Sequence, residues 1–423
     1  MRKESRSVRA AALAFCVAVM PLVSAGASVV KDWNAIATTV IVTNAGKPPG
    51  IATIDFVYVN AAMYDAVNAI DRRYTVYAVS PTSATAGASE EAAAVAAAYN
   101  VLKTFYPAQQ AYLDARYAES LAAIPEGDSK SRGVVIGQEV ASLFLAQRSG
   151  DGRNAPIAYT PGSGPAAWQP TPPAFAAAQA PWIAQMRPFA MHSASQFRAD
   201  APPALTSDTW ADDYNETKSL GAADSVTRTP EETEIGRFYT EHTGAQYNRI
   251  LRNFAAGQNF SLPDEARFMA QMYVSVGDAV IAVWDSKFYY GRVRPVTIIR
   301  AGDTDGNPAT DPDPNWTPLA VTPNHPEYPA AHGAVTSALA EALRQFFGTK
   351  DVTITLSSTV TGTSRTFYRT DDLVKEIIVA RIYGGMHFRT SVVRGKVQGE
   401  KVAKWVAKHQ FRPREENEGE NQD

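Results

Sequence analysis

Apolar residues recur at helical spacing along most of the chain. Spans at 53–70, 89–105, 108–123 and 130–148 predict helices in the first half. Spans at 210–223, 230–256, 263–293, 330–347, 371–383 and 391–409 predict them in the second. Strict alternation is scarce, and Val352-Thr353-Ile354-Thr355-Leu356 is the best strand candidate. Between the halves runs a Pro-rich segment, Ala155 to Pro203, which includes Trp168-Gln169-Pro170-Thr171-Pro172-Pro173. It is too long for a simple connection, so it is expected to wrap the surface or line an entrance. There is no internal repeat. The fold class expected is all-α, packed helical bundles with long Pro-rich loops.

The first residues break this pattern. Arg2, Lys3, Arg6 and Arg9 precede an apolar stretch from Ala10 to Val23, followed by Ser24-Ala25-Gly26-Ala27-Ser28. A basic start, a short apolar core and a small-residue site read as a secretory signal peptide over 1–27, and so as export to a periplasm or medium. Pro21 interrupts the stretch, and it is short for a membrane span. The expected organisation is then 28–210, a helical region with the Pro-rich loop; 211–410, a helical bundle; and 411–423, a polar, frayed tail. The sole cysteine, Cys16, falls in the leader, which removes disulfides, thiolate metal sites and cysteine nucleophiles from the rest. No later stretch is apolar enough to span a membrane. With 40 Lys+Arg against 43 Asp+Glu, the chain lacks the basic excess of a nucleic-acid binder.

Three stretches carry candidate chemistry. In Trp284-Asp285-Ser286-Lys287-Phe288-Tyr289-Tyr290-Gly291-Arg292-Val293-Arg294-Pro295, Lys287 and Arg294 stand seven residues apart. On one helix they would share a face, with Arg292 turned away. Pro295 should end that helix at Arg294. Two cations on one face repel unless an anion sits between them, and an arginine fork matches oxoanion oxygens. In Pro323-Asn324-His325-Pro326-Glu327-Tyr328-Pro329-Ala330-Ala331-His332-Gly333-Ala334, small residues open a helix whose free N–H groups can bind an anion, with His332 at that mouth. In Ala380-Arg381-Ile382-Tyr383-Gly384-Gly385-Met386-His387-Phe388-Arg389-Thr390-Ser391, the paired glycines can break a helix and swing His387 back toward Arg381. Each stretch alone could be a solvated face, a helix start or a core histidine. Together they gather three cations, two imidazoles and a helix start, a set suited to a tetrahedral oxoanion.

At these residues the sequence resembles the vanadium-dependent haloperoxidases and the related type 2 phosphatidic acid phosphatases. Their signature, K-x6-R-P, P-S-G-H and S-R-x5-H-x3-D, appears as Lys287-x6-Arg294-Pro295, Pro329-Ala330-Ala331-His332 and Arg381-x5-His387. Asp65-Ala66-Val67-Asn68-Ala69-Ile70-Asp71 and the Trp168–Phe175 segment look like the secreted bacterial haloperoxidase branch. The resemblance implies vanadate as cofactor, or phosphate in the same place. It implies His387 as the axial metal ligand; Lys287, Arg294, Arg381 and backbone at Ala331 holding the oxygens; and His332 as the acid–base group. Lys287 would also polarise bound peroxide, and Trp284 and His325 would lie near the halide. Hydrogen peroxide, a halide and a small organic acceptor are the implied partners; self-association stays open. The departures are Ala330 for serine, Ala331 for glycine, Ala380 for serine and Ser391 for aspartate, the last a weaker orienter of His387.

The same cage could instead serve an exported acid phosphatase, with His387 attacking phosphorus and His332 protonating the leaving oxygen, or a non-catalytic oxoanion binder. A nucleophilic histidine suffers more than a ligand from the missing aspartate, which favours the peroxidase reading. Asp303-Thr304-Asp305-Gly306-Asn307 hints at a calcium loop, but its glycine comes too early and no glutamate closes twelve residues, so a solvated turn is expected.

Overall fold

The computed structural model describes residues 28–414; the expected leader and the last part of the expected tail lie outside them. Thirteen α-helices and one hairpin follow in order: α1 Val29–Thr38, α2 Pro49–Asp71, α3 Glu90–Phe105, α4 Gln110–Ala122, α5 Asp128–Gln147, α6 Asp208–Gly221, α7 Pro230–Phe238, α8 Thr243–Ala256, α9 Leu262–Tyr290, α10 Pro295–Arg300, α11 Ala331–Phe347, β1 Ile354–Ser357, β2 Ser364–Phe367, α12 Thr370–Tyr383 and α13 Arg389–His409. The all-α expectation holds. The strand candidate is half of a small antiparallel pair, with Ile354 opposite Phe367 and Ser357 opposite Ser364.

Most helices fall where the apolar period puts them. Two expected helices are cut. The span 230–256 divides into α7 and α8, because His242 caps α8: its Nδ1 accepts from Ala245 N at 3.3 Å while Nε2 meets the Lys47 carbonyl at 2.8 Å. The span 263–293 stops at Tyr290, where Gly291 takes a left-handed φ of 54° and closes back on the Lys287 carbonyl. A Cβ at that φ would be strained. Arg294 therefore does not share a helix face with Lys287. It is the extended residue before Pro295, at the N-cap of α10, as the proline dictates.

Helix α9 is the axis of the molecule. It is buried nearly all round from Pro263 to Lys287, as a helix without a polar face must be. Helices α2, α11 and α13 pack on it, and one apolar core runs from Val30 through α2, α9 and α11 to Phe411. Small residues set the approach of α11 to α13. A Cβ on Gly395 or Gly399 would collide with the carbonyls of Ala330 or Ala334, so the start of α11 lies against the backbone of α13. That contact puts the segment before α13, which carries His387, beside the helix mouth at Ala331.

The Pro-rich segment does wrap the molecule, and part of it reaches the cavity described below. Trp168 N donates to the Gly291 carbonyl and Val293 N to Ala166, while Gln179 N donates to Asn324. Asp278 on α9 clamps the far end, accepting from the N–H groups of Phe189, Ala190 and Met191 at 2.6–2.8 Å. Phe411 is buried and stacks on Tyr77, and Arg414 N donates to the Arg73 carbonyl, so residues 411–414 are anchored. At 303–307 the expected solvated turn is in part buried: Asp305 and Asn307 are both covered, and Asp305 accepts from Trp210 Nε1, Asn307 N and Thr310 Oγ1; among the described residues no acidic or imidazole cluster has the makings of a metal cage. No described helix is long and apolar enough to cross a membrane.

Candidate active site

The three stretches meet at the C-terminal end of α9. Lys287, in its last turn, is fully buried, and its ammonium donates to the carbonyls of Pro326 and Glu327, both at 2.8 Å. Arg294, equally buried, donates from Nε to the His325 carbonyl at 2.8 Å and from Nη1 to the Met386 carbonyl at 3.0 Å. These two cations thus tie the second and third stretches together. Arg381, in the last turn of α12, donates to the Tyr239 carbonyl and to the Met386 sulfur, and its buried Nε has no partner. Gly384 and Gly385 end α12 as expected, and His387 turns back toward the cations.

A cavity of about 100 Å³ opens on this cage, lined by Trp284, His325, Ala331, His332, Arg381 and His387, with Gly50, Thr243 and Gln179 on its other walls. Lys287 and Arg294 stand just behind the lining. All eight residues singled out from sequence are brought together, and Arg292 is not among them: it donates to the Pro203 carbonyl and lies over Trp210.

The protonation pattern follows from the partners. His387 Nδ1 lies 2.9 Å from Glu327 Oε1, while Arg294 Nη1 lies 3.2 Å from Nε2. A guanidinium only donates, so Nε2 carries the lone pair and Nδ1 the proton. His325 Nδ1 likewise accepts from Arg294 Nη2 at 3.0 Å, which leaves its proton on Nε2. The 3.2 Å approach of that Nδ1 to the Pro326 carbonyl is then a contact without a hydrogen. Burial, reinforced by the neighbouring cations, holds His325, His332 and His387 well below the usual imidazole range. Burial, and then Arg294, pulls Lys287 far down, and burial lowers Arg294 to about 10 and Arg381 to about 9.

Two residues escaped the sequence reading. Glu327, not Ser391, meets the back of His387; Ser391 Oγ lies 3.5 Å from the Glu327 carbonyl and its own carbonyl accepts from Ala330 N. Thr243 Oγ1 lies 3.1 Å from His332 Nε2. A charge count could have found the first: Glu327 and Asp285 are the only acids in the three stretches, and Asp285 is engaged by Arg198. Nothing local marks Thr243.

The donor set fits a tetrahedral oxoanion. The Arg381 Nε–H is orphaned, α11 begins at Ala331 with no side-chain cap, and Lys287 and Arg294 share a single neighbouring carboxylate, Glu327. A buried donor without a partner is costly enough that a ligand oxygen is its natural complement.

Residues 267–416 match the family model described as the VCPO second helical-bundle domain. No curated protein matches the sequence. Among solved structures, a bacterial vanadium-dependent iodoperoxidase is similar at 24% identity and a TM-score of 0.79, over 92% of this chain and 97% of that one. A bacterial vanadium-dependent chloroperoxidase in its holo form is similar at 18% identity and a TM-score of 0.68, over 87% and 95%; its apo form gives 19%, 0.65, 86% and 94%.

Proposed function

We propose that this chain, which belongs to the vanadium haloperoxidase superfamily, is a vanadate-dependent haloperoxidase that oxidises halide with hydrogen peroxide. The observation that carries the reading is the His387 Nε2 lone pair, aimed among three buried cations and fixed by partners on both ring nitrogens. Vanadate would be held by Lys287, Arg294, Arg381, the N–H groups at Ala331 and His387 Nε2, and when bound it supplies a Lewis-acidic centre that makes peroxide an oxidant for halide. The net reaction joins H2O2, halide and a proton to give hypohalous acid and water, which then halogenates a small organic acceptor.

The chain's own groups supply the rest. His332, held neutral, accepts the proton that peroxide gives up and returns it to the departing oxygen. Lys287 spends two N–H groups on carbonyls and keeps the third for an oxygen of the guest. Trp284 and His325, with ring centroids 5.0 Å apart, present an indole face and an Nε2–H donor to the halide. The charged, leader-like opening of the sequence supports export to a periplasm or medium, which detection of a processed chain outside the cytoplasm would test.

Bromination of a phenolic dye by purified protein, requiring both vanadate and peroxide, is the expected result. Glu327 gives His387 the orientation that a nucleophile also needs, so the missing aspartate no longer argues against an acid phosphatase. Hydrolysis of an aryl phosphate, inhibited by vanadate and without halogenation, would establish that second reading. Saturable phosphate binding without turnover would leave an oxoanion binder.

A further inference from the structure

We infer that Glu327 is the residue that positions His387, in the role the superfamily signature gives to the aspartate replaced here by Ser391. Its Oε1 takes the Nδ1–H of the ring at 2.9 Å and the N–H of the next residue, Phe388, at 3.2 Å, so it fixes both the ring and the backbone that carries it. Both side chains are 1% exposed, which leaves no water to compete.

Glu327 is itself held in place. Its carbonyl accepts from Lys287 and lies 3.5 Å from the Ser391 hydroxyl, and its N–H donates to the Arg292 carbonyl at 2.9 Å. Other buried carboxylates of the fold are spent differently: Asp65 and Asp278 each clamp three backbone N–H groups, and Asp55 pairs with Arg153. Of these, Glu327 alone faces an imidazole.

The exchange explains the departure at 391. An aspartate there would bury a second carboxylate beside the first, and burying two like charges together is costly. The serine hydroxyl instead lies 3.5 Å from the Glu327 carbonyl, on the loop that brings Glu327 in, and adds no charge. A carboxylate behind a ligating histidine sets its tautomer, aim and donor strength, and loss of such a partner commonly weakens metal affinity about 10–100-fold.

The inference rests on the vanadate reading only for its ligand, and charge gives it a test of opposite sign. Titration calorimetry with orthovanadate and, separately, with inorganic phosphate would compare the full chain with Glu327→Gln. Positioning predicts that vanadate, which needs a bond from Nε2, binds roughly 10–100-fold more weakly, while phosphate binds as well or better because a negative charge has left the cage. Equal or tighter binding of both anions would show that Glu327 only balances charge; equal weakening of both would show a merely structural role. Either overturns the inference. Nitrogen-15 NMR of His387 in the unaltered protein serves where the variant does not fold. A proton on Nδ1 with Nε2 bare supports the inference, and the reverse tautomer sinks it. A wild-type chain that binds phosphate but no vanadate would defeat the peroxidase reading while the tautomer still decides this one.

Discussion

The Thr243 hydroxyl lies 3.1 Å from His332 Nε2 and links the first turn of α8 to the first turn of α11. It is the one hydrogen-bond partner of that ring among the described residues, so it decides where the imidazole points. Thr243→Val keeps the shape and removes the bond, which is worth about 1 kcal/mol. Turnover of bromide should fall about fivefold while affinity for vanadate is kept. Steady-state rates beside a vanadate titration check this; weakened vanadate binding at full turnover would place Thr243 in the oxoanion cage instead.

His387→Ala should abolish peroxidase turnover, and Arg292→Ala should leave it within about twofold, since Arg292 spends its donor on Pro203 and lies outside the cavity. Although both side chains are buried, only one faces the site. Comparable losses from the two, in variants that melt like the parent, would show that the cavity has been misassigned.

The helices were largely legible because packing on one side imposes a 3.6-residue period, which α5 and α13 carry openly. What the period cannot show is where a helix stops for reasons other than proline. Gly291 ends α9 by its left-handed φ, and His242 starts α8 as an unusual cap; neither interrupts the apolar pattern. The site's cations were legible through their spacing, even though the helix-face argument for Lys287 and Arg294 was the wrong reason for their proximity. Glu327 and Thr243 were not, since their partners lie 60 and 89 residues away in sequence, joined by loop and helix-start contacts that no periodicity encodes.

Ala330 stands where the superfamily signature has serine, at the N-cap of α11 with an extended backbone. Ala330→Ser would add a hydroxyl beside the oxoanion cage. A hydrogen bond to a charged partner is worth about 1.5–3 kcal/mol, so affinity for both vanadate and phosphate should rise about tenfold or more. If the hydroxyl turns instead to cap the helix, the melting temperature rises, with a stabilisation of about 1 kcal/mol, and affinity is unchanged. Calorimetric titration and thermal melts of the same sample separate the two.

Asp65, in the middle of α2, sets a pH dependence remote from the cage. Its carboxylate accepts from the N–H groups of Tyr77, Ala78 and Val79, yet burial outweighs them and pushes the group up from 3.8 to about 7. Between about pH 4 and 7 the folded chain therefore holds a proton that the unfolded chain has released. Stability from this group is full below that window and is lost as pH rises through it, by an amount on the order of 4 kcal/mol. Other groups titrate in the same window, since burial also raises Asp278 and holds His325, His332 and His387 low, so the Asp65 contribution is read as the difference between the parent and a variant. In urea melts across pH 4–8, the stability of the parent relative to Asp65→Asn should fall as pH rises through the window. Parallel curves would mean that the three amides keep Asp65 ionised throughout, so that the clamp on residues 77–79 works as a charged one.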